Sequence, residues 1–359
     1  ISPFTGFFLF FIIRNQIFEN EADMCAIFGA VMQKYSPELV RSVIKGLSAI
    51  NHRGSEAAGV LYSNGKRVWH HKGFGRVSQV FTEDVINEMM SHEPNILVSQ
   101  TLYSTTAGRS TRNIPPQFTE PNRGKIGLVH NGNLPNLNRK KDRLLEDAGG
   151  EVAFEEDDNE VINDTEFMVK YLGWLVDNNG GDLFQAIRTL IEYLDDSSYS
   201  AALLSKDGVW LFRDALGFRP LFYADTDHGL FFSSEDCVFK SLYARNIRSV
   251  LPGQIIFISS DGQISRTERV ICNTNSAHCI FENVYFARPD SHVFFKSSVS
   301  LFRQSLGRQL AQQAPVSHAD IISCIPKSGI CAGEGFALES GKPFISIYVV
   351  DDSIGKTFI

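Results

Sequence analysis

Cys25 follows Met24 directly and opens the run Cys25-Ala26-Ile27-Phe28-Gly29-Ala30. A cysteine thiol becomes a strong nucleophile once a base takes its proton. If the chain is cut before Cys25, the same residue also carries an α-amine. That amine titrates near pH ~8 and can act as a general base at neutral pH. Nucleophile and base then share one residue, and no separate histidine is needed. The competing reading of a lone cysteine is a buried structural side chain.

The residues ahead of Cys25 bear on this chemistry. Residues 4–13 (FTGFFLFFII) are strongly apolar. The run is too short for a membrane helix, which needs roughly 20 residues. Its nearest cation, Arg14, follows the apolar run, whereas a signal peptide carries its charge before it. Residues 1–24 are therefore expected to be a removable leader or a non-native upstream segment. Left attached, they make the Cys25 nitrogen an amide, which cannot serve as a base.

Composition narrows the classes. A chain of 359 residues favours two domains. Hydrophobic residues at 43% and charged ones at 21% fit an ordinary soluble globular protein. The net charge of −7 gives no basic footprint for nucleic acid. The 28 phenylalanines are scattered and form no stacking motif. None of the six cysteines forms a C-x-x-C pair. Cys272/Cys279 and Cys324/Cys331 share a spacing that reads as chance, not as a metal site. The lack of a disulfide framework fits a reducing cytoplasm. Neither a membrane nor a nucleic-acid partner is expected.

Several elements must position Cys25. Ser36-Pro37 is a helix start, with Ser36 as N-cap and Pro37 at the first helical position. Leu39, Val40, Val43, Ile44, Leu47 and Ile50 then recur as one buried stripe. Ala57 to Tyr62 reads as a strand, turned at Asn64-Gly65 into Lys66 to His71, with both turn positions favouring positive φ. A helix follows over Thr165 to Asn178. Two further hairpins turn at Asp207-Gly208 and Asp261-Gly262. Residues 25–270 thus predict helices layered on antiparallel sheet. From about 271 the period changes. Val299 to Gln312 predicts an amphipathic helix presenting Val299, Phe302, Leu306 and Leu310. Ile321 to Ile325 and Phe344 to Val350 are continuous apolar runs around a helix at Cys331 to Glu339. That pattern predicts a parallel α/β unit with strands buried on both faces. The fold class expected is α+β followed by α/β.

Further motifs stand in fixed order along the chain: His52-Arg53-Gly54-Ser55-Glu56-Ala57-Ala58-Gly59, Tyr103-Ser104-Thr105-Thr106, His130-Asn131-Gly132-Asn133-Leu134, Asp164-Thr165-Glu166, Arg213 to Leu221 and Ser233-Ser234-Glu235. Together with the Cys25 run, this set resembles the class II glutamine amidotransferase domain, an N-terminal-nucleophile hydrolase with an αββα sandwich. Residues 279–291 (CIFENVYFARPDS) narrow the resemblance to the amidophosphoribosyltransferase family and argue against asparagine or glucosamine-6-phosphate synthases.

The resemblance implies that Cys25 attacks the side-chain amide of L-glutamine and that Asn131 and the Gly132 amide form the oxyanion hole. It implies that Asp164 binds the α-ammonium, while Arg53 and Thr105 line the glutamine pocket. Each has a plainer alternative: Asn131-Gly132 as a turn, Asp164 as a helix cap, Arg53 as a structural ion pair. The activity implied is transfer of glutamine-derived ammonia to phosphoribosyl pyrophosphate, the first committed step of purine synthesis, aided by Mg2+ in a homo-oligomer. Residues 25–270 would form the amidotransferase domain. Residues 271–359 would form a linker and the start of a type I phosphoribosyltransferase domain, truncated at its C-terminus.

The chain departs from the family pattern at several points. Leu102 stands where the family has an arginine that grips the α-carboxylate of glutamine. Hydrogen bonds to charged groups contribute roughly 1.5–3 kcal/mol, or about ten- to a hundredfold in binding. Gln100 replaces a histidine, Ala26 a glycine and Lys327 an acidic residue. Val349 to Ile354 resembles the phosphoribosyl pyrophosphate motif, which would set Asp351 and Asp352 against the ribose hydroxyls. Counted from Gly341-Lys342-Pro343, however, Gly355 to Ile359 falls on the family's flexible loop, which places that motif beyond Ile359. Cys279 aligns with an iron–sulfur ligand of some relatives, whose partner cysteines would also lie beyond Ile359. The alternative function is a truncated, non-catalytic remnant or pseudogene product of the family.

Overall fold

The computed structural model describes residues 24–103, 111–122, 124–154, 163–270, 276–294 and 296–350. Thr105, Asp351, Asp352 and residues 1–23 lie outside them. The described residues form two compact units, divided between His278 and Cys279.

The first unit contains two antiparallel sheets. One has seven strands: β1 (Met24–Met32), β2 (Ala57–Ser63), β3 (Val68–Phe74), β4 (Ile96–Tyr103), β9 (Phe222–Asp225), β10 (Gly229–Ser233) and β11 (Arg245–Ser249), in the order β11-β9-β10-β1-β4-β2-β3. The other has six: β5 (Gln117–Thr119), β6 (Ile126–Asn133), β7 (Ser198–Ser205), β8 (Gly208–Arg213), β12 (Gln254–Ser259) and β13 (Ile264–Arg269), in the order β13-β12-β8-β7-β6-β5.

Strand alternation explains how the sheets stack. Ile27 and Val31 of β1, Val98 of β4, Val129 of β6 and Leu211 of β8 pack together between the sheets. On the other face of the six-stranded sheet, Leu128 and Leu203 meet Phe167, Leu172 and Val176 of α5 (Asp164–Asn178) and Ile187 and Leu190 of α6 (Leu183–Tyr193). Helix α1 (Pro37–Ala49) covers the outer face of the seven-stranded sheet with Leu39, Val40, Val43, Ile44 and Leu47 buried. A Cβ on Gly46 of this helix would lie 2.4 Å from the Phe28 ring, so only glycine admits it. The layers run helix, sheet, sheet, helix, with α2 (Val77–Val80), α3 (Glu83–Ser91), α4 (Leu137–Asp147) and α7 (Cys237–Lys240) as the unit's remaining α-helices among the described residues. Each buried aliphatic or aromatic side chain in them contributes about 1.5–3 kcal/mol.

The local signals were partly wrong. Ser36 does occupy the N-cap of α1, but its side chain makes no capping hydrogen bond. The β2–β3 connection is four residues long, not a two-residue turn. Gly65 alone takes a positive φ of 78°, while Asn64 Oδ1 accepts the N–H groups of Lys66 and Arg67. The strand expected from Lys66 therefore begins at Val68.

The second unit departs further. In α8 (Val299–Gln313) the buried face is Val299, Arg303, Gly307 and Ala311, while Leu306 and Leu310 are exposed. The reason is close helix packing. A Cβ on Gly307 would lie 1.9 Å from the Ala332 carbonyl of α9 (Ile330–Ser340), and one on Gly335 would lie 2.0 Å from that of Gln304. Arg303 then donates to the carbonyls of Asn283 and Ala287. The two apolar runs meet in one parallel bridge, Ile322 to Phe344, in place of two buried strands. Ile325, Ile347 and Val349 are exposed.

Candidate active site

Cys25 shares the face of β1 that carries Ile27 and Val31, so its side chain turns into the space between the sheets. Asn131 shares the face of β6 that carries Val129 and turns into the same space. Cys25 is 1% exposed and Asn131 is fully buried. Neither Nδ2 nor Oδ1 of Asn131 has a hydrogen-bond partner among the described residues. A buried amide with neither group paired costs roughly 1–3 kcal/mol per missing bond and marks a candidate functional site. Gly132 has a steric reason to be glycine, since a Cβ there would lie 2.0 Å from the Ser198 carbonyl. The Asn131-Gly132 pair lies within β6, so the turn reading does not hold.

Gln100 fastens the two sheets beside this space. It lies on β4, and its Oε1 accepts the backbone N–H of His130 on β6 at 3.0 Å. Leu102, two residues on, is paired directly across from Cys25 in the β1–β4 register.

Asp164 begins α5, but the cap is Asn163, whose side chain accepts the Glu166 N–H at 3.0 Å. Asp164 shares in the capping, since its Oδ1 accepts the Thr165 N–H at 2.9 Å. Its other oxygen, Oδ2, meets His130 Nε2 at 3.1 Å, and His130 Nδ1 meets the Thr165 hydroxyl at 2.7 Å. The imidazole, 3% exposed, thus locks an acidic group at the N-terminus of a helix. Arg112 pairs with Glu166 at 3.3 Å, and Lys170 pairs with the same carboxylate at 2.6 Å.

Arg53 is 1% exposed. Its Nε donates to the Cys25 carbonyl at 3.1 Å, and its Nη1 donates to Glu235 Oε1 at 3.0 Å. Glu235 is fully buried, and the same oxygen meets His52 Nε2 at 2.8 Å. Ser234, just after β10, closes the group: its N–H donates to the Ile27 carbonyl and its hydroxyl accepts the Ile27 N–H, both at 2.9 Å. His130, Gln100 and Glu235 were not singled out as site residues in the sequence. His130 and Glu235 do lie inside the ordered motifs, beside Asn131 and Ser234.

Two helix-covered antiparallel sheets carrying a cysteine on a central strand are consistent with an N-terminal-nucleophile-hydrolase-like fold. No protein-family model matches the chain. Curated relatives do. An amidophosphoribosyltransferase of Methanocaldococcus jannaschii is 32% identical over 94% of this chain and 71% of its own length. One of Mus musculus is 33% identical over 93% of this chain and 67% of its own. A solved glutamine phosphoribosylpyrophosphate amidotransferase from B. subtilis, complexed with ADP and GMP, superposes with a TM-score of 0.79 at 28% identity, covering 93% of this chain and 68% of that one. The chain belongs to the amidophosphoribosyltransferase family. These relatives do not favour the non-catalytic alternative.

Proposed function

We propose that this chain is a glutamine-dependent amidotransferase of purine biosynthesis, with Cys25 as the nucleophile of its glutaminase reaction. Cys25 Sγ attacks the side-chain amide carbon of L-glutamine while the Cys25 α-amine takes the thiol proton. Asn131 Nδ2 and the Gly132 N–H receive the oxyanion. Such donors are worth about 3–4 kcal/mol of barrier each. The α-amine then passes its proton to the leaving nitrogen, ammonia departs, and water hydrolyses the thioester to glutamate. Asp164, held by His130, would take the substrate α-ammonium. Arg53 and Thr105 would border the pocket. The observation that carries this reading is the buried Asn131 amide, unpartnered among the described residues, facing the same inter-sheet space as Cys25.

Ammonia would then pass to phosphoribosyl pyrophosphate, with residues 271–359 as linker and start of a type I phosphoribosyltransferase domain. The parallel Ile322–Phe344 bridge around α9 supports that assignment. Asp351 and Asp352 would meet the ribose only if Val349 to Ile354 were the phosphoribosyl pyrophosphate motif, whereas the register counted from Gly341-Lys342-Pro343 puts that motif beyond Ile359; Mg2+ would offset the pyrophosphate charge when bound. Cys279 is one buried thiol, and the described residues gather no group of three or more His, Cys, Asp or Glu side chains fit for a metal. Cys279 alone would not hold an iron–sulfur cluster, which takes four ligands. No helix among the described residues is long and apolar enough to cross a membrane. A cytoplasmic homo-oligomer is the assembly this reading implies.

The test is mass spectrometry of the purified protein's N-terminus together with a glutamate-release assay. A chain beginning at Cys25 that releases glutamate, and a Cys25→Ala variant that does not, are the expected results. Release by Cys25→Ala at the unmutated rate would overturn the assignment.

A further inference from the structure

The contacts around the Cys25 carbonyl reach further than the reaction itself requires. Arg53 sits between that carbonyl and Glu235, at 3.1 and 3.0 Å. Both side chains are at most 1% exposed, so neither charge is offset by water. Glu235 is itself tied down from several sides. Its Oε1 also meets His52 Nε2 at 2.8 Å, its Oε2 accepts from the Cys237 thiol at 3.8 Å, and its N–H donates to the Ser233 hydroxyl at 3.1 Å. Ser234 is hydrogen-bonded to both backbone groups of Ile27. The residues following β10 therefore grip the start of β1 twice, once through Ser234 and once through Glu235 and Arg53.

We infer that Glu235 is a positioning residue: it holds the Arg53 guanidinium on the Cys25 carbonyl and so sets the direction of the Cys25 thiol and nitrogen. The inference rests on the assignment of Cys25 as nucleophile. Its physical basis is geometric. A nucleophile that carries its own base has one backbone unit to orient two reacting atoms, and rotation about that unit misplaces both. Arginine suits the task because its rigid planar fork can serve a carbonyl and a carboxylate at once. A buried guanidinium without a carboxylate partner would turn toward other acceptors or water. In this arrangement Glu235 reaches the Cys25 carbonyl through Arg53.

The expected signature is a loss in turnover without a matching loss in glutamine binding. In Glu235→Gln, kcat for glutamate release should fall about 10- to 100-fold, the scale set by small misplacement of reacting groups, with KM changed less than about twofold. Glu235→Asp keeps the compensating charge if Glu235→Gln does not fold, but it withdraws the carboxylate by one methylene. It should also lower kcat, by less. Arg53→Lys combined with Glu235→Gln should cost little more than either alone, because both break one chain of contacts. A folded Glu235→Asp or Glu235→Gln protein with unmutated kcat, or one whose loss lies in KM, overturns the inference. If the unmutated protein releases no glutamate, the assigned reaction has failed instead. The inference is then read from the rate at which iodoacetamide alkylates Cys25. A slower rate in Glu235→Asp upholds it, and an equal rate overturns it.

Discussion

At the scale of single residues, Asn131 and Leu102 make opposite statements about catalysis. Asn131 leaves a buried amide without partners among the described residues, an arrangement folding alone would not favour. If the amide awaits an oxyanion, Asn131→Ala should lower kcat about 10²–10³-fold with little change in KM. Because the native amide is unpaired, thermal stability should hold or rise in the same variant. A drop in stability without a drop in kcat would make Asn131 a structural residue. Leu102 lies opposite Cys25 and offers no donor to a substrate carboxylate. Leu102→Arg should therefore raise kcat/KM for glutamine about ten- to a hundredfold, mainly through KM. No gain would show that this position does not limit binding. Asp214 illustrates a motif residue with a different task. Its carboxylate accepts the backbone N–H groups of Tyr199, Leu216 and Phe218, and so fixes the loop between β8 and β9. Burial nonetheless pushes its carboxyl above the usual range.

At the scale of elements, the two helices on the six-stranded sheet meet each other through aromatic packing. Tyr171 of α5 meets Tyr193 of α6 edge-on, at 4.8 Å between ring centres. Burial pushes the Tyr171 phenol from 10.0 up to about 12, helped by the nearby Tyr193 and Asp147 and opposed by Arg143. Between those values the folded state keeps a proton that the unfolded state has lost. Stability is therefore full below pH 10.0 and falls as pH rises toward about 12. The loss should be about 1–3 kcal/mol. Tyr171→Phe should flatten this limb: from pH ~9 to ~11 its urea midpoint should fall less than that of the unmutated protein. Equal falls would assign the alkaline limb elsewhere. In the second unit, the contact of α8 with α9 is made by backbone, not by leucines. Gly307→Leu should cost at least about 1–3 kcal/mol by forcing the helices apart, whereas Leu306→Gln should stay within about 0.5 kcal/mol. Thermal unfolding of both variants distinguishes the faces, and the reverse ranking would restore the apolar stripe.

At the scale of the whole molecule, the proposed chemistry depends on a cut before Cys25, because only then is its nitrogen an amine. A protein kept uncut should release no glutamate, and cleavage to expose Cys25 should restore release. Activity in the uncut form would require a base other than that amine. The sequence determined a good deal by itself. The helical stripe from Leu39 to Leu47, the hairpins around Asp207-Gly208 and Asp261-Gly262, and the ordered motifs that carry the family resemblance all rest on near-neighbour spacing, which a linear chain records. It also carries Cys25, Asn131 and Asp164 in those motifs. Tertiary structure alone decided which contacts those motifs make: that Asp164 answers to His130, that Arg53 serves the Cys25 carbonyl and Glu235, and that Gln100 fastens one sheet to the other. It also overruled the apolar stripe of α8, because glycines at Gly307 and Gly335 let two backbones approach more closely than leucines would allow. Such contacts join residues far apart in the chain across strands and layers, and neither periodicity nor spacing along one strand carries their distance or direction.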